Sequence, residues 1–138
     1  MQAYLSFNGD CAAALDFYGK CLDGKTVFSM PYAGSPVESQ VPPGWKDKIM
    51  HARFEARGHT LMASDTMPGH PFEGHKGFSL SVQASDVKDG EKIFNALAAG
   101  GQVTMPYAPT FWAAGFGMLI DKFGVPWMVN CETAPAKA

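Results

Sequence analysis

The chain has 138 residues with 11 Lys and Arg against 13 Asp and Glu, a net charge of −2, so the basic footprint of a nucleic-acid binder is missing. Hydrophobic residues make up 46% and charged residues 17%, enough to fill a core and too little charge for wholesale disorder. With 15 Gly and 10 Pro the chain turns often, which argues against a helical bundle, and no apolar run reaches the ~18 residues that span a bilayer.

Residues 2–8 alternate weakly and read as a strand, and Asn8-Gly9-Asp10 is a turn and helix-start signal. Cys11, Ala14, Leu15, Tyr18 and Leu22 form one stripe of an amphipathic helix, with Gly24 as its expected C-cap. Lys25–Met30 reads as a strand and Pro31–Lys48, rich in Pro and Gly, as a long loop. Such a loop is expected to be mobile and to cover a cavity mouth. Ile49–Glu55 and Thr60–Asp65 read as a hairpin turning at Ala56–His59. The order then repeats: a strand over Gly77–Gln83, a helix capped by Ser85 or Asp86 with the stripe Val87, Gly90, Ile93, Phe94 and Leu97, a stop at Gly100-Gly101, a strand over Gln102–Met105, and a hairpin of Phe116–Ile120 with Val125–Cys131.

Asp10 pairs with Asp86, Tyr18 with Phe94 and Gly24 with Gly100 at one constant offset, and Met30-Pro31-Tyr32-Ala33 recurs unchanged as Met105-Pro106-Tyr107-Ala108. In the hairpins Gly58 then matches Gly124 and Met62 matches Met128, at an offset shorter by the extra length of the first loop. Self-similarity of this kind decides architecture ahead of local propensity. The expectation is an α+β fold of two βαβββ modules, residues 1–67 and 77–132, forming one domain over 1–132, with a linker at 68–76 and a flexible tail at 133–138. One helix covers one face of each sheet and leaves the other bare, so pairing two modules would curl mixed sheets around a concave cavity, a default binding site.

Cys11 and Cys21 on one helix would lie ~15 Å apart, beyond the ~7 Å that a disulfide tolerates. Three buried thiols and a cytoplasmic location are expected, and the opening residues lack the basic region of a signal peptide.

Gly9-Asp10, Asp16-Phe17-Tyr18 and Leu22-Asp23-Gly24 resemble the first strand–helix unit of the vicinal oxygen chelate superfamily, which includes glyoxalase, bleomycin-resistance protein and extradiol dioxygenase. Ser64-Asp65-Thr66-Met67-Pro68, Thr110 to Gly117 and Asp121 to Met128 look like its PhnB-like branch. The resemblance implies the fold over most of the chain and a homodimer that completes its cavities across a two-fold axis. It implies no single activity, because the superfamily hosts many chemistries. A ubiquinone methyltransferase label used in this branch finds no Gly-x-Gly-x-x-Gly turn in the sequence.

Metal-using members take ligands from strand positions that here map to Ala3 or Tyr4, Met62, Gly77 and Met128, a poor set for a hard or borderline divalent ion. No metal and no cofactor are therefore expected. His70 and His75 lie in the Gly/Pro linker, His59 at a hairpin tip, while His51 alternates away from the apolar set and should face the concavity beside Met62 and Ser64. There it could act as acid–base, as a donor, or simply be satisfied in a core or interface. Asp65 and Asp121 read as turn caps or, for Asp65, as reaching the pocket mouth. Trp112 and Phe116, flanking Gly115 and Gly117, are the aromatics expected to line the cavity, with Trp45 and Tyr32 by the long loop. The candidate lining set is His51, Met62, Ser64, Trp112, Phe116 and Met128, with no residue assigned to catalysis. The expectation is a metal-free protein binding a small, partly apolar molecule, with no nucleic acid or membrane partner. A metal-dependent lyase, isomerase or dioxygenase and a structural dimer with a filled cavity stand as alternatives.

Overall fold

The computed structural model describes residues 1–69 and 71–132, which divide into two units at Glu73/Gly74. His70 and the expected tail at 133–138 lie outside the described residues. The first unit runs β1 (Ala3–Phe7), α1 (Cys11–Leu22), β2 (Lys25–Pro31), β3 (Ile49–Ala56), β4 (His59–Asp65), and the second β5 (Leu80–Gln83), α2 (Val87–Ala98), β6 (Gln102–Ala108), β7 (Ala113–Ile120), β8 (Pro126–Glu132). Each unit is thus a βαβββ module, with sheet orders β1-β4-β3-β2 and β5-β8-β7-β6. The outer pairs β1/β4 and β5/β8 are parallel and the rest antiparallel, giving an α+β fold of two mixed sheets.

In the first unit the expected stripe Cys11, Ala14, Leu15, Tyr18 and Leu22 is buried, against a sheet face that buries Leu5, Phe7, Ala52, Phe54 and Ala63. In the second, Gly90, Ile93, Phe94 and Leu97 are buried, as are Val82, Leu119, Trp127 and Val129. Val87 belongs to the expected stripe but is 43% exposed, because it sits on the first turn of α2, where the chain has just left the cap. That cap is Asp86, whose carboxylate accepts from Asp89 N at 2.7 Å.

Other expectations shift at element ends. The left-handed residue after α1 is Asp23 (φ 56°), not Gly24. Gly24 is needed for closeness instead: a Cβ there would meet Glu55 O and the Ala56 Cβ, each at 2.6 Å. Gly77 takes φ 77° and stays outside the sheet, so β5 is shorter than read and starts at Leu80. Conversely β6 runs on to Ala108 and β7 starts at Ala113, so the second Met-Pro-Tyr-Ala lies wholly in a strand, whereas in the first only Met30 and Pro31 do. The glycines of β7 serve a tyrosine on the helix side rather than Trp112 or Phe116. A Cβ on Gly90 or Gly115 would run into the Tyr107 hydroxyl, which donates to Val87 O at 3.0 Å.

The long loop is not a loose cover. Two 3-10 turns (Glu38–Gln40 and Pro43–Trp45) interrupt it, Tyr32 and Val41 are buried, and the Trp45 indole donates to Thr66 O at 2.9 Å. Trp45 also abuts Gly9, so the loop is fastened at the β1–α1 junction.

Candidate functional site

Side chains on a strand alternate between faces, so each sheet has one face on its helix and one free of it. The register of the first sheet sets Tyr4, Met62, Arg53 and Phe28 in one row across β1, β4, β3 and β2 on the helix-free face, with Ser6, Ser64, His51 and Met30 in the next. His51, Met62 and Ser64 therefore share the helix-free face. The sequence reading missed His51's partner: the Tyr4 hydroxyl lies 3.0 Å from His51 Nδ1, bridging over β4, with ring centroids 5.7 Å apart. The Phe28 ring is 6.1 Å from the imidazole on the other side. Alternation against buried Leu5 and Phe7 could have put Tyr4 on this face, but the strand is short and its pattern weak.

On the second sheet the register sets Ser81, Met128, Met118 and Met105 in one row. Phe116 pairs with Asn130 in the next row and meets Trp112 edge to face at 5.4 Å. Trp112 is 48% exposed and touches Phe111, which is 94% exposed, at 4.8 Å. Asn130 Nδ2 donates to Gln83 Oε1 at 2.9 Å, while its buried Oδ1 has no partner among the described residues. Trp112, Phe116 and Met128 thus sit together on one unit. Met105, Met118 and the Asn130–Gln83 pair join them unforeseen, because only the register reveals neighbours across strands.

Asp65 does not reach this face. It is buried on the helix side, where Oδ1 accepts from Gly9 N (2.8 Å) and Cys11 N (3.0 Å) and Oδ2 from Ile49 N (2.8 Å). Asp121 is likewise structural, accepting from Phe123 N, Val125 N and the Trp127 indole. Burial, and then the charges of Asp65 and Asp10, push the Cys11 thiol up to about 12, so it is an inert core group. Burial followed by the Asp65 charge raises Tyr32, whose hydroxyl donates to Asp65 O at 2.7 Å. Two surface hollows of about 530 and 430 Å³ border the α1–β2 turn, and none of the six candidate residues lines either.

The metal positions can now be fixed from register. Tyr4 rather than Ala3 faces the helix-free side, and its equivalent is Ser81, not Gly77, since each pairs with the matched Met62 or Met128. A phenol bonded to His51, a serine hydroxyl and two thioethers do not fit a hard or borderline divalent ion. Among the described residues no group of three or more His, Cys, Asp and Glu side chains could hold one. No step through a metal is derived.

Two mixed-sheet βαβββ units give the chain the fold of a glyoxylase/bleomycin resistance/dioxygenase domain from Frankia sp. EAN1pec (TM-score 0.67, 16% identity, 96% of this chain and 95% of that one). Residues 1–130 match the profile of the 3-demethylubiquinone-9 3-methyltransferase family, and the chain belongs to that family, the PhnB-like branch. It is similar to the crystal structure of PA1353 from Pseudomonas aeruginosa (48% identity, TM-score 0.85, 97% and 99% covered). It also resembles a putative 3-demethylubiquinone-9 3-methyltransferase, PhnB protein, from Bacillus cereus (28%, TM-score 0.79, 95% and 98%) and Protein YjdN of Escherichia coli (36%, 94% and 93%).

The family name denotes methyl transfer, yet the residues do not fit a nucleotide-type methyl donor. Such groups are commonly received by open N–H groups where a parallel strand turns through glycines into a helix. Here the Gly9 and Cys11 N–H groups are taken by Asp65, and at α2 Asp86 and Asp89 take Asp89 N and Ser85 N. No methyl-transfer step is derived. No helix among the described residues is long and apolar enough to cross a membrane.

Proposed function

We propose that the helix-free sheet faces bind a small, partly apolar molecule without a divalent metal. The observation that carries this is the second sheet's face: Met105, Met118, Met128 and Phe116 pave it, beside Asn130, whose Oδ1 has no partner among the described residues. Apolar lining with a few placed polar groups is what small-molecule sites are made of, and flexible thioethers adapt to ring or chain alike. Trp112 flanks this surface beside Phe116. Native mass spectrometry of tag-free protein, with a thermal-shift screen of aromatic and aliphatic small molecules, is expected to yield a ligand whose affinity falls at least about ten-fold in Phe116→Ala, the scale of one lost aromatic contact. No ligand, or one indifferent to both Phe116→Ala and Met128→Ala, overturns the reading.

The protein is proposed to act as a homodimer in the cytoplasm. Exposed Phe111 and Trp112 support the first, since apolar surface of that kind is normally covered, and three thiols with no disulfide support the second. Light scattering is expected to give about twice 14.8 kDa. A stable monomer at micromolar concentration overturns the dimer.

A further inference from the structure

We infer that the helix-free face of the first sheet receives the anionic end of a ligand, an oxyanion such as a carboxylate, held by the Arg53 guanidinium and by the outward N–H of His51, with Tyr4 as the positioning residue that sets the imidazole tautomer. The inference deepens the binding reading above and rests on it. Arg53 and His51 are two residues apart on β3 and share the helix-free face, which puts their Cα atoms about 6.6 Å apart. An arginine side chain spans that gap easily, so both donors can converge on one group. Arg53 is exposed, and no hydrogen bond or ion pair engages it among the described residues. The other charged side chains on this face are Glu55 and Lys25, which stand opposite each other in register, so the carboxylate next along β3 has its own cation facing it.

Arg53's row neighbours are Met62 on one side and Phe28 on the other. Apolar flanks strengthen a charge-assisted hydrogen bond and offer contact to the body of a partly apolar acid. The guanidinium fork matches the two oxygens of a carboxylate. The Tyr4 hydroxyl lies 3.0 Å from His51 Nδ1, and an imidazole that accepts the phenol's hydrogen bond there carries its own proton on Nε2, the tautomer we assign, where it is a donor to the ligand. The equivalent row of the second sheet, Ser81, Met128, Met118 and Met105, has no cation, so the anion preference belongs to the first sheet alone.

The test uses benzoate and phenylphosphonate as anionic probes and benzamide as the neutral counterpart of benzoate, titrated into the full chain and followed by calorimetry and NMR. The better anion is expected to bind at least about ten-fold tighter than benzamide, the scale of hydrogen bonds to a charged group. Which anion wins tells a planar two-oxygen head from a tetrahedral three-oxygen one. Arg53→Gln should erase the preference and Arg53→Lys keep part of it, with melting temperatures showing both variants folded. Tyr4→Phe should move the His51 ring ¹⁵N signals from the Nε2–H pattern toward a tautomer mixture, a change that mere loss of packing would not cause. Benzamide binding as tightly as both anions, or a preference untouched by Arg53→Gln, overturns this inference and leaves the binding reading standing. Binding of no probe to either face, with no ligand from the screen, overturns both.

Discussion

The two units use one backbone plan for two different surfaces. Register matches Tyr4 with Ser81, His51 with Phe116, Arg53 with Met118, Met62 with Met128 and Ser64 with Asn130. The helix-facing sides of both sheets are lined mainly by buried apolar side chains, Asp65 excepted. On the helix-free side the first unit carries a phenol, an imidazole and a guanidinium, where the second carries a hydroxyl, an aromatic ring and a thioether. Packing constrains one side of each sheet, and the other is left to diverge. Duplicated modules therefore keep their fold while their free faces specialise, the first for hydrogen bonding and charge and the second for apolar contact. The repeated Met-Pro-Tyr-Ala shows the same split in miniature. Tyr32 donates to Asp65 O and closes the long loop on its unit, while Tyr107 donates to Val87 O and wedges between α2 and β7.

The largest expected effect tests whether the two cores are equally tight. Leu15→Ala and Leu97→Ala should each cost about 2–5 kcal/mol, with Leu97→Ala at the upper end. Leu97 is fully buried, whereas Leu15 borders the 430 Å³ surface hollow, so its site can relax or admit water. Urea denaturation of both variants measures the difference, and equal costs would break the asymmetry. A smaller effect comes from the glycines. Gly117 is the register equivalent of Ala52, since Gly117 pairs with Val129 and Ala52 with Ala63. A Cβ on Gly117 would meet the Phe94 ring at 2.6 Å and Tyr107 Cα at 2.9 Å, so Gly117→Ala should cost about 1–3 kcal/mol by overpacking. Gly117→Ala combined with Phe94→Leu should recover part of that loss in the same assay, and no recovery would place the strain elsewhere.

Much of this plan is legible in the sequence because the helix stripes and the repeat are strong periodic signals. Cys11, Ala14, Leu15, Tyr18 and Leu22 announce α1 residue by residue, and alternation separates His51, Met62 and Ser64 from the helix-facing set. The limits lie at element ends and across strands. Asp23 takes a left-handed conformation that glycine statistics assign to Gly24, and Val87 has the right spacing but sits on an exposed first turn. The Tyr4–His51 contact and the row of Met105, Met118 and Met128 depend on register. The hairpin loops differ by one residue, so β3 and β7 align at a different offset from β4 and β8. That single residue decides whether His51 is matched with Phe116 or with Gly117, and it is invisible without the pairing. Asp65 looked able to serve the site because a strand-end carboxylate is ambiguous until its three N–H partners are known.

The smallest expected effect concerns pH and again separates the units. α1 opens with the buried Cys11, where α2 opens with exposed Val87. Burial, then the charges of Asp65 and Asp10, hold the Cys11 thiol at about 12 against 9.0 for a solvated thiol. Between those values the unfolded chain gives up this proton and the folded chain keeps it, so unfolding is favoured as pH rises. The thiol's contribution is intact below about pH 9 and is lost progressively toward pH 12. Tyr32 and Tyr107 are raised above 10.0, chiefly by burial, and act with the same sign, mainly above that pH. In the window between pH 9 and 10 Cys11 is therefore the leading contributor, the tyrosines only beginning to add. Urea midpoints measured across it should fall for the natural chain and stay nearly level in Cys11→Ala, with Tyr107→Phe following the natural chain. A fall that persists undiminished in Cys11→Ala would show that the alkaline weakness does not arise at the start of α1.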